Sequence, residues 1–223
     1  HGGARLAICP ADRKELFGGK AICFSEIQQE KALEPPHPFP EAADPFLLLY
    51  TSGTTASPKG VPHAYRTMLA NARLGAPEHG LDSRDRVLSA APFSHLYGLY
   101  SLHCAWAVGA CTVLLPAFSP RELVSAIENL KPTALWTAPA HMAACRAAGL
   151  VDRHDWSSLK LAIVSGSSAP PELMQFLQEK LAACAVTQLW GMTELQAGLY
   201  TRPGDPAAVS AGGSGRPSPG SGG

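Results

Sequence analysis

FLLLYTSGTTASPKG, Phe46 to Gly60, sets an apolar run of strand length directly against a loop of hydroxyls and glycines. Phe46 to Tyr50 read as a buried strand, and the pattern after the loop predicts a helix over Ala64 to Leu74. The composition of the loop has a physical purpose. Hydroxyls from Thr51, Ser52, Thr54, Thr55 and Ser57, with backbone N–H groups made accessible by Gly53 and Gly60, can surround phosphate oxygens, and Lys59 adds a positive charge. A Walker loop is excluded, because the GxxxxGK[ST] spacing is absent.

Downstream of this stretch the alternation continues. Apolar runs at Val87 to Ala91, Cys111 to Leu115, Thr133 to Thr137, Leu161 to Ser165 and Val186 to Trp190 read as buried strands. Helical patterns lie between them at Tyr97 to Ala107, Pro120 to Asn129, Ala140 to Ala148 and Pro170 to Ala182, several opened by Ser-Pro or Pro in the first turn. Strand-helix alternation with near-continuous apolar strands predicts an α/β fold, a mostly parallel sheet flanked by helices. Upstream, RLAIC and KAICF suggest two further strands, and the five prolines between Glu34 and Pro45 deny that segment both helix and ladder hydrogen bonds. The expected organisation is a leading α/β segment over 1–33, a Pro-rich linker over 34–45, the α/β core over 46–211 and a flexible Gly/Ser/Pro tail over 212–223.

The 223 residues carry 46% apolar side chains, enough for a core, and 18 basic residues balance 18 acidic ones. No net field favours nucleic acid or an anionic membrane, so small molecules are the expected partners. No apolar run is long enough to span a bilayer and no secretory pattern opens the chain, which predicts a cytoplasmic protein. The six cysteines show no CxxC and no His at metal-ligand spacing, and most sit in apolar stretches, where they read as small buried hydrophobes. The oligomeric state is left open by the sequence.

Three more stretches carry chemistry. LWGMTE, Leu189 to Glu194, ends an apolar strand on a carboxylate, at the strand end where ligands of α/β sheets collect. VSGSSAPPEL, Val164 to Leu173, runs a strand into a turn of small residues, which let a backbone approach a flat ring. APFSHLYGLYS, Ala91 to Ser101, places His95 after another strand.

These four motifs, in this order, resemble those of the adenylate-forming superfamily of acyl-CoA synthetases, firefly-type luciferases and peptide-synthetase adenylation domains, from Phe46 to about Pro217. The resemblance implies that Thr51, Ser52, Gly53, Thr54, Thr55 and Lys59 cradle the phosphates of ATP. It implies that Ser165, Gly166 and Ser167 pack against adenine, with Trp190 and Gly191 beside it, that Thr193 bonds the α-phosphate and that Glu194 holds Mg²⁺. Ala56 departs from the family, which generally has glycine there. In CoA-ligase members an FHxxG-like segment occupies the place where amino-acid-activating domains carry an aspartate. SHLYG therefore implies the acyl- or aryl-CoA ligase branch, with His95 gating the acid pocket or orienting the carboxylate, and Tyr97, Gly98 and Ser101 facing the acid.

By the same resemblance, Lys59, Thr193, Glu194 and His95 would be the catalytic set, coenzyme A the acceptor, and a fatty or aromatic carboxylic acid the substrate. The alternatives are an acyl-AMP ligase that loads a carrier protein and a non-catalytic nucleotide- or acyl-binding relative. The family's ribose-binding aspartate, hinge and C-terminal lysine domain have no counterpart here. The chain is accordingly expected to be a piece of the large N-terminal domain, with little turnover by itself.

Overall fold

The computed structural model describes residues 7–9, 12, 15, 21–23, 39–51 and 58–219. Two compact units divide the chain, 1–40 and 41–223. In the first, strands β1 (Ala7–Cys9) and β2 (Ala21–Cys23) pair in parallel.

The second unit contains a seven-stranded sheet in the order β11-β10-β9-β8-β7-β5-β6. Its strands are β5 (Arg86–Ser89), β6 (Cys111–Val113), β7 (Ala134–Thr137), β8 (Leu161–Val164), β9 (Ala185–Met192), β10 (Gln196–Tyr200) and β11 (Arg216–Pro217). The five from β6 to β9 in that order pair in parallel, and β10 and β11 extend the sheet antiparallel. The α/β class with a mostly parallel sheet is thus as read from the sequence. The helices are α1 (Tyr65–Glu78), α2 (Leu96–Ala107), α3 (Pro120–Leu130), α4 (Pro139–Ala147), α5 (Leu150–Arg153), α6 (Pro171–Lys180) and α7 (Ala207–Gly212). Ser119 caps α3 by accepting from the Glu122 amide at 3.1 Å, with Pro120 in the first turn.

The near-continuous apolar strands divide by the two-residue period of the pleat. Val87, Ala134, Trp136, Leu161, Ile163 and Leu189 face a core with α1 and α2. Leu88, Leu135, Ala162, Val164 and Val186 face the other core, under α3 to α6. Both faces are covered, as a parallel sheet requires. Truncating a side chain as buried as Leu135 or Ile163 to alanine would cost about 2–5 kcal/mol. At the amino end of the sheet, Asp85 accepts from Thr133 Oγ1 at 2.6 Å and pairs with Lys160 Nζ at 2.8 Å, tying the starts of β5, β7 and β8 together.

The structure corrects four expectations. Phe46 to Tyr50 belong to β3 (Pro45–Thr51), which does not join the main sheet. It pairs antiparallel with β4 (Lys59–Ala64) in a separate two-stranded sheet and is at most half-buried. A strand therefore precedes the first helix. Within the expected flexible tail, Arg216 and Pro217 pair with β10, and Arg216 Nη2 donates to Asp205 at 2.8 Å. Cys111 is exposed at the edge strand β6, whereas Cys104, Cys145 and Cys184 are buried free thiols, as read.

Candidate active site

The chain leaves β5 toward β6 over one face of the sheet and returns to build β7, β8 and β9 over the other. The segments after β5 and β7 therefore diverge, and a cleft opens at the carboxyl ends of the strands, as expected at such a switch point. The cleft measures about 700 Å³. It is lined after β5 by Ala91, Pro92 and His95, after β8 by Ser165, Gly166 and Ser167, and along β9 and its turn by Trp190, Gly191 and Thr193.

Local geometry explains the small residues. Ser165 N donates to Thr137 O at 3.0 Å and closes β8 onto β7, after which Gly166 turns the chain at φ +92°, a conformation costly for any side chain. In LWGMTE a Cβ at Gly191 would lie 1.9 Å from Gln196 O, so only glycine permits the β9–β10 hairpin to close. That hairpin holds Trp190, 46% exposed, on the cleft rim and presents Thr193 and Glu194 in its turn.

Glu194 is exposed and has no ion pair or hydrogen bond among the described residues. Neither Glu194 nor Lys59 is among the residues that line the cleft, and an exposed carboxylate in this turn suits a hard cation such as Mg²⁺ arriving with phosphates. Lys59 starts β4, exposed, in register with half-buried Thr51 at the end of β3. Ser52, Gly53, Thr54, Thr55 and Ala56 lie outside the described residues.

His95 precedes α2 on the rim, exposed, its amide donating to Pro92 O at 3.1 Å. Tyr97 lies inside the cleft, where its hydroxyl donates to Ile163 O at 2.7 Å, and burial pushes the phenol pKa well up, so it remains a donor. Gly98 and Ser101 were expected to face the acid and do not line the cleft. A Cβ at Gly98 would lie 2.3 Å from Pro92 O, so glycine here lets α2 pack on the loop after β5. Buried Ser101 donates to Gly98 O at 2.6 Å inside the same helix.

Several residues without a sequence signal complete the site. His141 lines the cleft, stacks on Phe118 with centroids 4.0 Å apart and accepts from the Ala138 amide at 3.2 Å through Nδ1. Gln188 also lines it, donating to Ser210 O at 2.7 Å. Buried Gln196 donates to Thr67 O at 3.0 Å, and Asn71 donates to Ala197 O at 3.2 Å, so α1 braces the hairpin. Buried His63 on β4 donates through Nε2 to Thr193 O at 2.7 Å; a carbonyl can only accept, which fixes the tautomer. The sequence linked none of these, because their partners lie up to 130 positions away.

Residues 10–222 match the family described as AMP-binding enzyme. Over 189 residues the chain is 30% identical to 4-coumarate–CoA ligase 5 of Oryza sativa subsp. japonica, an alignment covering 82% of this chain and 34% of the relative. It is 33% identical over 186 residues to the sulfoacetate–CoA ligase of Cupriavidus necator, covering 82% and 36%. Among solved structures, the anthranilate CoA ligase AuaEII in complex with anthranoyl-AMP superposes with a TM-score of 0.85 at 28% identity, covering 97% of this chain and 45% of that one. The chain spans 27% to 36% of the length of such curated relatives.

Proposed function

The chain belongs to the AMP-binding enzyme family, and on that premise we propose that it forms the nucleotide and acid site of an acid–CoA ligase. A carboxylate oxygen attacks the α-phosphorus of ATP, giving acyl-AMP and pyrophosphate. The thiol of coenzyme A then attacks the acyl carbonyl, giving the thioester and releasing AMP. The observation that carries this reading is the cleft that gathers Ser165 to Ser167, Trp190 to Thr193, and His95 with Tyr97 from three separate stretches of sequence.

Each group has a role its chemistry suits. The small turn Ser165, Gly166 and Ser167 and the indole of Trp190 flank adenine, where the absence of bulk permits close approach. Thr193 donates to the α-phosphate. Thr51 to Thr55 and Lys59 hold the outer phosphates, with cationic charge directed where negative charge builds between the α- and β-phosphates. Glu194 would hold Mg²⁺, which when bound supplies charge neutralisation to the pyrophosphate leaving group. His95, on the rim, orients the carboxylate, and among the described residues no acidic side chain lines the cleft to receive a substrate ammonium, which favours a plain acid over an amino acid.

Calorimetric titration of this chain with Mg²⁺-ATP tests the assignment. Saturable binding, weakened by Lys59→Ala and by Glu194→Ala, is expected. A folded chain that binds no nucleotide, or whose binding ignores both changes, would refute the site.

A further inference from the structure

The cleft has two sides of different character. One is the Ser165 to Ser167 turn with Gly191 and Thr193; the other is the α2 side, made by His95, Leu96, Tyr97 and Tyr100. Tyr97 and Tyr100 are three positions apart on α2 and so share one face of that helix, the face against the sheet.

Tyr100 closes the α2 side in an unusual way. It lines the cleft yet is 2% exposed, because the rest of its ring is seated in the core with Ala72 and Ala76 of α1. Its hydroxyl lies 2.1 Å from where a Cβ at Gly75 would stand, so the side chain occupies the groove that this glycine leaves in α1. Behind it His79, 1% exposed, shares a hydrogen bond of 3.0 Å with the same hydroxyl through Nε2. His79 Nδ1, Trp136 Nε1 and the Tyr200 hydroxyl are buried and have no hydrogen-bond partner among the described residues.

The ring is therefore a fixed wall and not a gate. Swinging it aside would leave the second nitrogen of His79 unpaired in the core as well, and would expose an entering alkyl chain to a polar lining it cannot satisfy. Tyr97 is held in the same way by its bond to Ile163 O, so neither tyrosine yields room between α2 and the sheet.

We propose that Tyr100, seated on Gly75 and tied to His79, is the specificity-determining end wall of the acid compartment, and that it confines this enzyme to compact acids, aromatic or short-chain, and excludes extended alkyl chains. This rests on the assignment of the cleft to an acyl adenylate.

The test uses this chain and two stable mimics of an acyl adenylate, benzoyl and octanoyl sulfamoyl adenosine, titrated calorimetrically. The benzoyl compound is expected to bind at least roughly tenfold tighter, the scale on which a few methylenes are discriminated by a filled pocket. Tyr100→Phe keeps the ring and should keep the ratio. Tyr100→Ala, and the milder Tyr100→Leu, should shift the ratio about tenfold toward the octanoyl compound. Should the alanine variant fail to fold, the leucine variant decides by the same criterion. Equal binding of both compounds to the unaltered chain, or a ratio indifferent to opening the wall, overturns the proposal while leaving the nucleotide site standing. Failure of both mimics and of Mg²⁺-ATP to bind would instead remove the cleft assignment itself.

Discussion

The acid end and the phosphate end of the proposed site are built on opposite principles. At the acid end Tyr97, Tyr100 and Gly98 sit in or against the core, their polar atoms or close contacts taken up by main chain and by His79. At the phosphate end Lys59 and Glu194 stand exposed on hairpins, outside the helix-sheet cores. Shape is written where packing is dense and a change of one methyl is felt throughout, whereas charge is written where side chains are hydrated and replaceable. The comparison teaches that substitutions at the two ends should separate stability from binding.

The largest effects should come from a crossed pair. Glu194→Ala is expected to weaken Mg²⁺-ATP binding by about 2 kcal/mol, the scale of a lost charge-assisted contact, with unfolding changed by no more than about 0.5 kcal/mol. Gly98→Ala should do the reverse. In an open helix the change would stabilise by nearly 1 kcal/mol, but here the added carbon meets Pro92 O, and overpacking of this kind costs about 1–3 kcal/mol. Urea unfolding alongside nucleotide titration checks both, and a stability loss in Glu194→Ala as large as in Gly98→Ala would erase the contrast.

The acid end should also respond to pH through its core. Burial first, and then the Arg202 charge, push the His79 pKa down from 6.5 to about 3. The unfolded chain takes up a proton at this position below about pH 6.5 that the folded chain refuses until about pH 3. Stability is therefore level above pH 6.5 and falls on acidification, by about 2 kcal/mol between pH 7 and pH 5 from this residue. Burial lowers His103 and His141 in the same direction, so the quantity to read is the difference from His79→Gln. The variant should lose most of the slope; an unchanged slope would mean that His79 does not titrate with folding.

The sequence made legible those features that depend on neighbours along the chain. The parallel strands, the Ser119-Pro120 helix start and the turns after β8 and β9 follow from local period and composition, and the wall segments after β5, after β8 and along β9 lie in motifs visible as strings. What was hidden depends on distant partners. FLLLY looks like any buried strand, and nothing in it says that Lys59 to Ala64 will pair with it and keep it out of the main sheet. Gly98 sits in a stretch read as facing the acid, but a glycine required by Pro92 O has the same letter as one lining a pocket. Tyr100 is one aromatic among several, and its place as a wall is set by Gly75 and His79 in another helix.

The smallest expected effect bears on how the phosphate end is assembled. Lys59 and Glu194 belong to different sheets, and His63, four residues after Lys59, donates to the carbonyl of Thr193, the residue before Glu194. If this bond sets the turn so that Glu194 meets the phosphates held by the β3–β4 loop, His63→Ala should weaken Mg²⁺-ATP binding by about 1 kcal/mol, the net worth of one hydrogen bond, or roughly fivefold. A loss of general packing would weaken it too, so the deciding quantity is coupling. In a Glu194→Ala background the His63→Ala change should cost little further binding, because the carboxylate it positions is gone. Full additivity of the two changes would mean that His63 supports the hairpin without positioning Glu194, and the exposed rim would then owe its geometry to α1, through Asn71 and Gln196, alone.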